Sequence, residues 1–161
     1  MIAIRTATAV DLPLILQFIR DLAAYEQLLP EVEATEERLR ATLFPPAGRP
    51  AAECLLAFWH DRPAGFAIFF HNYSTFLAQP GLYLEDLFVE PALRGHGISK
   101  TLLLHCARLA NARGCGRMEW TVLDWNARAI KFYKRLGASL RKEWILTRLT
   151  GSALRRLARS R

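Results

Sequence analysis

No segment of this 161-residue chain comes near the roughly 18 consecutive apolar residues that a membrane span requires, although 52% of its residues are hydrophobic. The opening MIAIRTATAVD has neither a charged leader nor the apolar core of a signal sequence. Cysteine is scarce and odd in number: Cys54, Cys106 and Cys115 show no paired spacing. That argues against a disulfide framework and fits buried or inert thiols in a reducing compartment. A soluble, cytoplasmic protein without membrane contact is the expectation. The histidines His60, His71, His96 and His105 have no ligand spacing among themselves or with the cysteines, so no metal site is expected. Repeats and low-complexity tracts are lacking as well.

Acidic residues are nearly missing from the end of the chain. Residues 141–161 hold seven Lys or Arg against one acid, Glu143, and so carry +6 of the net charge of +7. A basic tail can touch nucleic acid or an acidic surface. No aromatic residue follows Trp144, however, so the stacking platforms of single-strand binders are absent, and a solvated basic helix over residues 150–161 is the better reading. Nucleic acid is not an expected partner.

What is present is enough for one well-filled core, given about 150 residues per domain, and a single domain over residues 1–161 is expected. Residues 2–5 read as a strand. Leu12, Ile15, Phe18, Ile19 and Leu22 then recur at helical spacing behind the opening Thr8-Ala-Val-Asp11. A second helix is expected from the cap Thr35 to the Pro45-Pro46 break. Residues 54–59 and 64–70 are aromatic-rich runs joined by His-Asp-Arg-Pro, the pattern of an antiparallel hairpin, and residues 71–81 read as a looser exposed arm. Strands over residues 117–123 and 144–149, and a helix from Asn126 to Leu136, complete an interleaved α/β order. It predicts a mixed, mostly antiparallel sheet with helices on both faces.

Residues 82–114 organise the rest. A strand, LYLEDLFV, runs into a turn with two glycines and then an amphipathic helix. Such a junction aims backbone N–H groups and the positive helix end at an anion, most often phosphate. The dinucleotide template G-x-G-x-x-G fails because Lys100 stands where the third glycine belongs. The nucleotide P-loop fails because Ser99 replaces the glycine before Lys100-Thr101 and the upstream anchor glycine is missing.

A third template, R/Q-x-x-G-x-G/A, matches Arg94-x-x-Gly97-x-Ser99 with a small residue in its last place. There the chain resembles the GNAT superfamily of acetyl-CoA-dependent N-acetyltransferases. The motifs YLEDLFV and WNARAIKFYKRLGA, with Tyr25-Glu26 and Tyr73-Ser-Thr-Phe76, look like its diamine acetyltransferase branch. The match spans about residues 2–144. Taken singly, the glycines, Asn126 and Phe132-Tyr133 read equally well as a tight turn, a helix cap and core aromatics. Their joint occurrence in family order makes that reading improbable.

The resemblance implies acetyl transfer to a primary amine of a small cationic substrate by direct attack. Arg94, Gly95, His96, Gly97, Ile98, Ser99 and Lys100 would hold the pyrophosphate of acetyl-CoA, the cosubstrate, and the backbone of Leu87, Phe88 and Val89 its pantetheine arm. Asn126 would contact the cofactor, Tyr133 would protonate the departing thiolate, and Glu85 would take the amine's proton. Strand alternation puts Glu85 and Asp86 on opposite faces, so one acid should lead, and Glu85 is the choice. Tyr25, Glu26, Glu85, Glu119 and Glu143 would make an acidic amine pocket within a basic chain. Polyamine-using members carry an acid and a tryptophan where this chain has Ser74 and Phe76, which favours a compact, lysine-like amine such as thialysine. Relatives commonly form homodimers. Protein or peptide lysine acetylation, and a silent CoA- or nucleic-acid-binding module, are the alternatives.

Overall fold

The computed structural model describes residues 1–160. The chain separates into two compact units, Met1–Thr121 and Val122–Arg161. The first holds β1 (Ile2–Thr6), α1 (Leu12–Tyr25), α2 (Glu36–Leu43), β2 (Glu53–Trp59), β3 (Arg62–Ser74), β4 (Gln79–Val89), α3 (Ile98–Ala112) and β5 (Arg117–Glu119). The second holds α4 (Ala127–Arg135) and α5 (Gly151–Arg159). No helix among the described residues is long and apolar enough to cross a membrane.

The five strands lie in sequence order, antiparallel except for the parallel pair β4–β5. This is the mixed, mostly antiparallel sheet that the interleaved pattern predicts. Helix α1 buries Leu12, Ile15, Leu16 and Phe18. Its ring at Phe18 stacks 5.6 Å from that of Phe66 and lies tilted 5.9 Å from that of Phe88, in a cluster with Leu43, Cys54, Leu56 and Ile68. Because side chains alternate along a strand, the intervening residues face the other side, where α3 covers the sheet with Leu102, Leu103 and Cys106. Burial pushes the thiols of Cys54 and Cys106 up to about 12, so neither is a thiolate at neutral pH.

The entry to α1 is held by charge. The carboxylate of Asp11, itself buried, accepts from Arg5 through both oxygens at 2.7 and 2.8 Å, and from the Thr8 backbone N–H at 2.8 Å. The Arg5 hydrogen bonds hold the Asp11 carboxyl well below the usual carboxylate range. A depressed folded-state value stabilises the fold above the unfolded value near 4, and this contribution is lost as pH falls through the acid range. Asp11→Ala is expected to lower stability by about 2 kcal/mol at pH 7, and the deficit should shrink in acid, as read by urea denaturation at the two pH values.

Two expectations change. The arm over residues 71–81 is not loose: β3 continues to Ser74, pairs with Gln79 at the start of β4, and carries the exposed Phe76 at its turn. The long strand expected over residues 117–123 pairs only through Arg117–Glu119, and residues 144–149 form no strand. Trp144, Ile145 and Leu146 are exposed, and an apolar extended run without a ladder partner is not a strand, however good its pattern.

Candidate active site

The register of β4 against β3 slips once, in the middle of the strand. Ile68 faces Asp86, but the next residue, Phe69, faces Leu84, so Glu85 is the extra residue of a β-bulge. A bulge breaks the two-residue alternation. Leu82 and Leu84 therefore share one side of the sheet, while Asp86 and Phe88 take the side of α1, opposite Ile68 and Phe66.

On that side lies an open cleft of about 190 Å³ between β4, the end of α1 and the loop after it. Ile19, Leu22 and Val32 supply apolar walls, and Glu26, Glu31 and Asp86 supply carboxyls. Burial pushes the Asp86 carboxyl up to about 6, and the negative charges of Glu85 and Glu26 push the same way. Burial also raises Glu26. Of the two neighbouring acids it is thus Asp86 that enters the cleft, while Glu85 is exposed at the bulge. Alternation separates the pair, as expected, but the choice of Glu85 came from the resemblance, and Asp86 and Glu31 are the acids that line the cleft with Glu26.

Beyond the bulge, β4 has a neighbour on one side only within its unit. Strand β5 pairs with Gly81, Leu82 and Tyr83, and β3 with Leu87, Phe88 and Val89 on the opposite edge. The second backbone edge at Leu87, Phe88 and Val89 is left for an added strand-like partner. The strand then enters the turn. Gly95 and Gly97 adopt φ of +92° and +83°, a left-handed region that side chains with a Cβ resist. Gly97 caps α3, its carbonyl accepting the Thr101 N–H at 2.9 Å. The amides of Ile98, Ser99 and Lys100 are the first of the helix and have no acceptor within it. His96 is exposed, its ring 4.9 Å from that of Trp59. This set of donors at a helix N-terminus, beside an open strand edge, fits a diphosphate with an amide-bearing arm. Gly97→Ala is expected to lower stability by roughly 1–2 kcal/mol, the cost of a left-handed alanine, which urea denaturation measures.

The other expected residues have partners of their own. Glu119 accepts from Asn72 at 2.9 Å and pairs with Arg117 at 2.9 Å, which offsets its charge. In the second unit, Glu143 pairs with Arg141 at 2.6 Å on an exposed surface. Asn126 caps α4, its side-chain oxygen accepting the Ala129 N–H at 3.1 Å. Tyr133 is the buried residue of α4, its ring 5.3 Å from that of Phe132, and burial raises its phenol above the ordinary value. Tyr25, next to Glu26, lies under the guanidinium of Arg94.

The Acetyltransferase (GNAT) family model matches residues 17–138. The chain belongs to the GNAT family. A thialysine N-epsilon-acetyltransferase of Bos taurus is 38% identical over 98% of this chain and 97% of its own. L-ornithine N5-acetyltransferase NATA1 of Arabidopsis thaliana is 35% identical over 94% of this chain and 85% of its own. Among solved structures, an integron cassette protein from the mobile metagenome of V. cholerae superposes with a TM-score of 0.79 at 28% identity, covering 99% of this chain and 98% of that one. The GNAT chain described here is accordingly an N-acetyltransferase of the diamine acetyltransferase branch.

Proposed function

We propose that this enzyme transfers the acetyl group of acetyl-CoA to the primary amine of a small cationic substrate, by direct attack of the neutral amine on the thioester. The observation that carries the reading is the cleft in which Glu26 and Asp86 face apolar walls beside the open edge of β4. A cation with a hydrocarbon stem suits that combination of charge and wall. A compact diamine or lysine-like amine such as thialysine is favoured over a long polyamine, in line with the named activities of the two relatives.

Acetyl-CoA brings an activated acyl group, and the chain's own residues bind, orient and move protons. Gly95 to Lys100 hold the pyrophosphate through backbone N–H groups, with Ser99 adding a hydroxyl. Leu87, Phe88 and Val89 pair with the pantetheine arm, and one of their N–H groups polarises the thioester carbonyl. Asp86 and Glu26 receive the ammonium group. Asp86, at about 6, is poised to accept its proton near neutral pH, and exposed Glu85 passes that proton to water. Tyr133 donates a proton to the leaving thiolate, and Asn126 lies beside it on the cofactor. The active form is a homodimer, with the exposed Tyr73 and Phe76 of the hairpin as contacts, which light scattering of the purified enzyme tests.

The deciding experiment assays diamines, polyamines, thialysine and lysine peptides for thiol release from acetyl-CoA. Turnover of small amines, thialysine above spermine, is the expected outcome. Turnover of peptides alone would move the assignment to protein lysine acetylation.

A further inference from the structure

Arg94 belongs to the turn before α3, yet its side chain reaches across to α1. Its Nε donates to the Val89 carbonyl at 3.1 Å, and its guanidinium carbon sits 4.4 Å from the centroid of the Tyr25 ring. Tyr25 is the last residue of α1. Glu26, the next residue, ends the helix with its N–H on the Leu22 carbonyl at 2.9 Å and turns its carboxyl to the cleft that holds Asp86. Gln27 then reverses the chain at φ of +63°, and the Leu28 N–H closes on the Ala23 carbonyl at 2.8 Å. One planar cation therefore bridges the end of β4, the glycine turn and the helix end that carries the cleft's acids. A guanidinium is drawn to the face of a phenol ring. Lysine cannot reproduce both the stack and the Nε hydrogen bond.

We propose that Arg94 is a positioning residue that couples the turn to the acidic cleft, so that an occupant of the turn orders the end of α1 and tightens the amine site. The inference rests on the acetyl-CoA reading given above. Its physical basis is short. An anion seated on the amides after Arg94 restrains a backbone that left-handed Gly95 and Gly97 otherwise leave free, and this restraint passes through one rigid side chain to Tyr25 and Glu26. Coupling of this kind is reciprocal, so bound amine should tighten CoA by the same factor.

The test uses the full-length enzyme and CoA itself as the probe. Hydrogen exchange of the backbone amides of residues 22–32 is followed with and without CoA, and amine KM and CoA affinity are measured alongside. In the wild type and in Tyr25→Phe, which keeps the ring, CoA is expected to slow exchange in this segment. In Tyr25→Leu and Arg94→Lys that protection should disappear and amine KM should rise about fivefold or more, while Tyr25→Leu changes CoA affinity by less than about twofold. Equal protection in Tyr25→Leu, or an Arg94→Lys variant altered only in CoA affinity, would show that Arg94 is merely a phosphate ligand and overturn the coupling. Failure of the wild type to bind CoA at all, seen in the titration before any exchange is measured, would instead remove the reading beneath it.

Discussion

Tyr133→Phe is expected to lower kcat about a hundredfold while leaving CoA affinity nearly unchanged, the lower end of what a positioned general acid contributes. The phenol is buried on α4, and burial raises it above its ordinary value, so it is protonated throughout the neutral range. A group in that state can give a proton to a thiolate without first having to acquire one. Removing only the oxygen keeps the ring and its packing against Phe132. The decisive comparison is between acyl donors. If Tyr133 protonates the leaving group, the variant should recover rate with a thioester whose thiol is more acidic, because that thiolate departs without help. A variant that turns over at the wild-type rate would take Tyr133 out of this role.

Asp86→Asn carries the second large effect. An amide of the same shape cannot neutralise an ammonium group in the cleft, and kcat/KM for the amine should fall at least about a hundredfold at pH 7.5. The wild-type profile should show an acid limb as Asp86 protonates at about 6, and that limb should vanish in the variant. Stability moves the other way. The folded-state value of Asp86 is raised, so its favourable contribution is present below the unfolded value near 4 and is lost as pH rises through about 6. Asp86→Asn is therefore expected to melt higher than the wild type at pH 7.5 and no higher at pH 4.5, which calorimetry at the two pH values reads. Glu85→Gln should differ in kind. Its carboxyl is exposed, so it should cost far less activity and leave the melting temperature almost unmoved. Equal losses in the two variants would return Glu85 to the leading role.

Much of the sheet and the strand–turn–helix junction at Gly95 and Gly97 was legible because each is written locally. A strand followed by two glycines and an amphipathic helix needs no distant partner to be recognised. What escaped depends on pairing across the chain. The bulge at Glu85 exists only relative to β3, so alternation along β4 alone parts Glu85 from Asp86 without telling which of them lines the cleft. Glu119 reads as a spare carboxylate until Asn72, 47 positions away, and Arg117 are seen to engage it. The run at residues 144–149 has the composition of a strand, and strand character comes from a neighbour that composition cannot supply. Asn126 was readable as a cap, and its bond to the Ala129 N–H bears that out.

The bulge in β4 also bears on which sequence changes the fold can absorb. Leu82, Leu84, Asp86 and Phe88 all stand at even positions, yet the first two lie on one side of the sheet and the last two on the other, because a single unpaired residue shifts the count between them. Substitutions at Glu85 leave that count intact. Losing the residue would not: with β3 still pairing on both flanks, the slack that separates Leu84 from Asp86 would be gone. The carboxyl of Asp86 would then have to exchange sides with its neighbours or drag the turn at Gly95 and Gly97 one step along the sheet. The distance between Asp86 and the glycine turn is thus set by the length of the chain between them, and drift in this stretch should be by replacement and never by deletion.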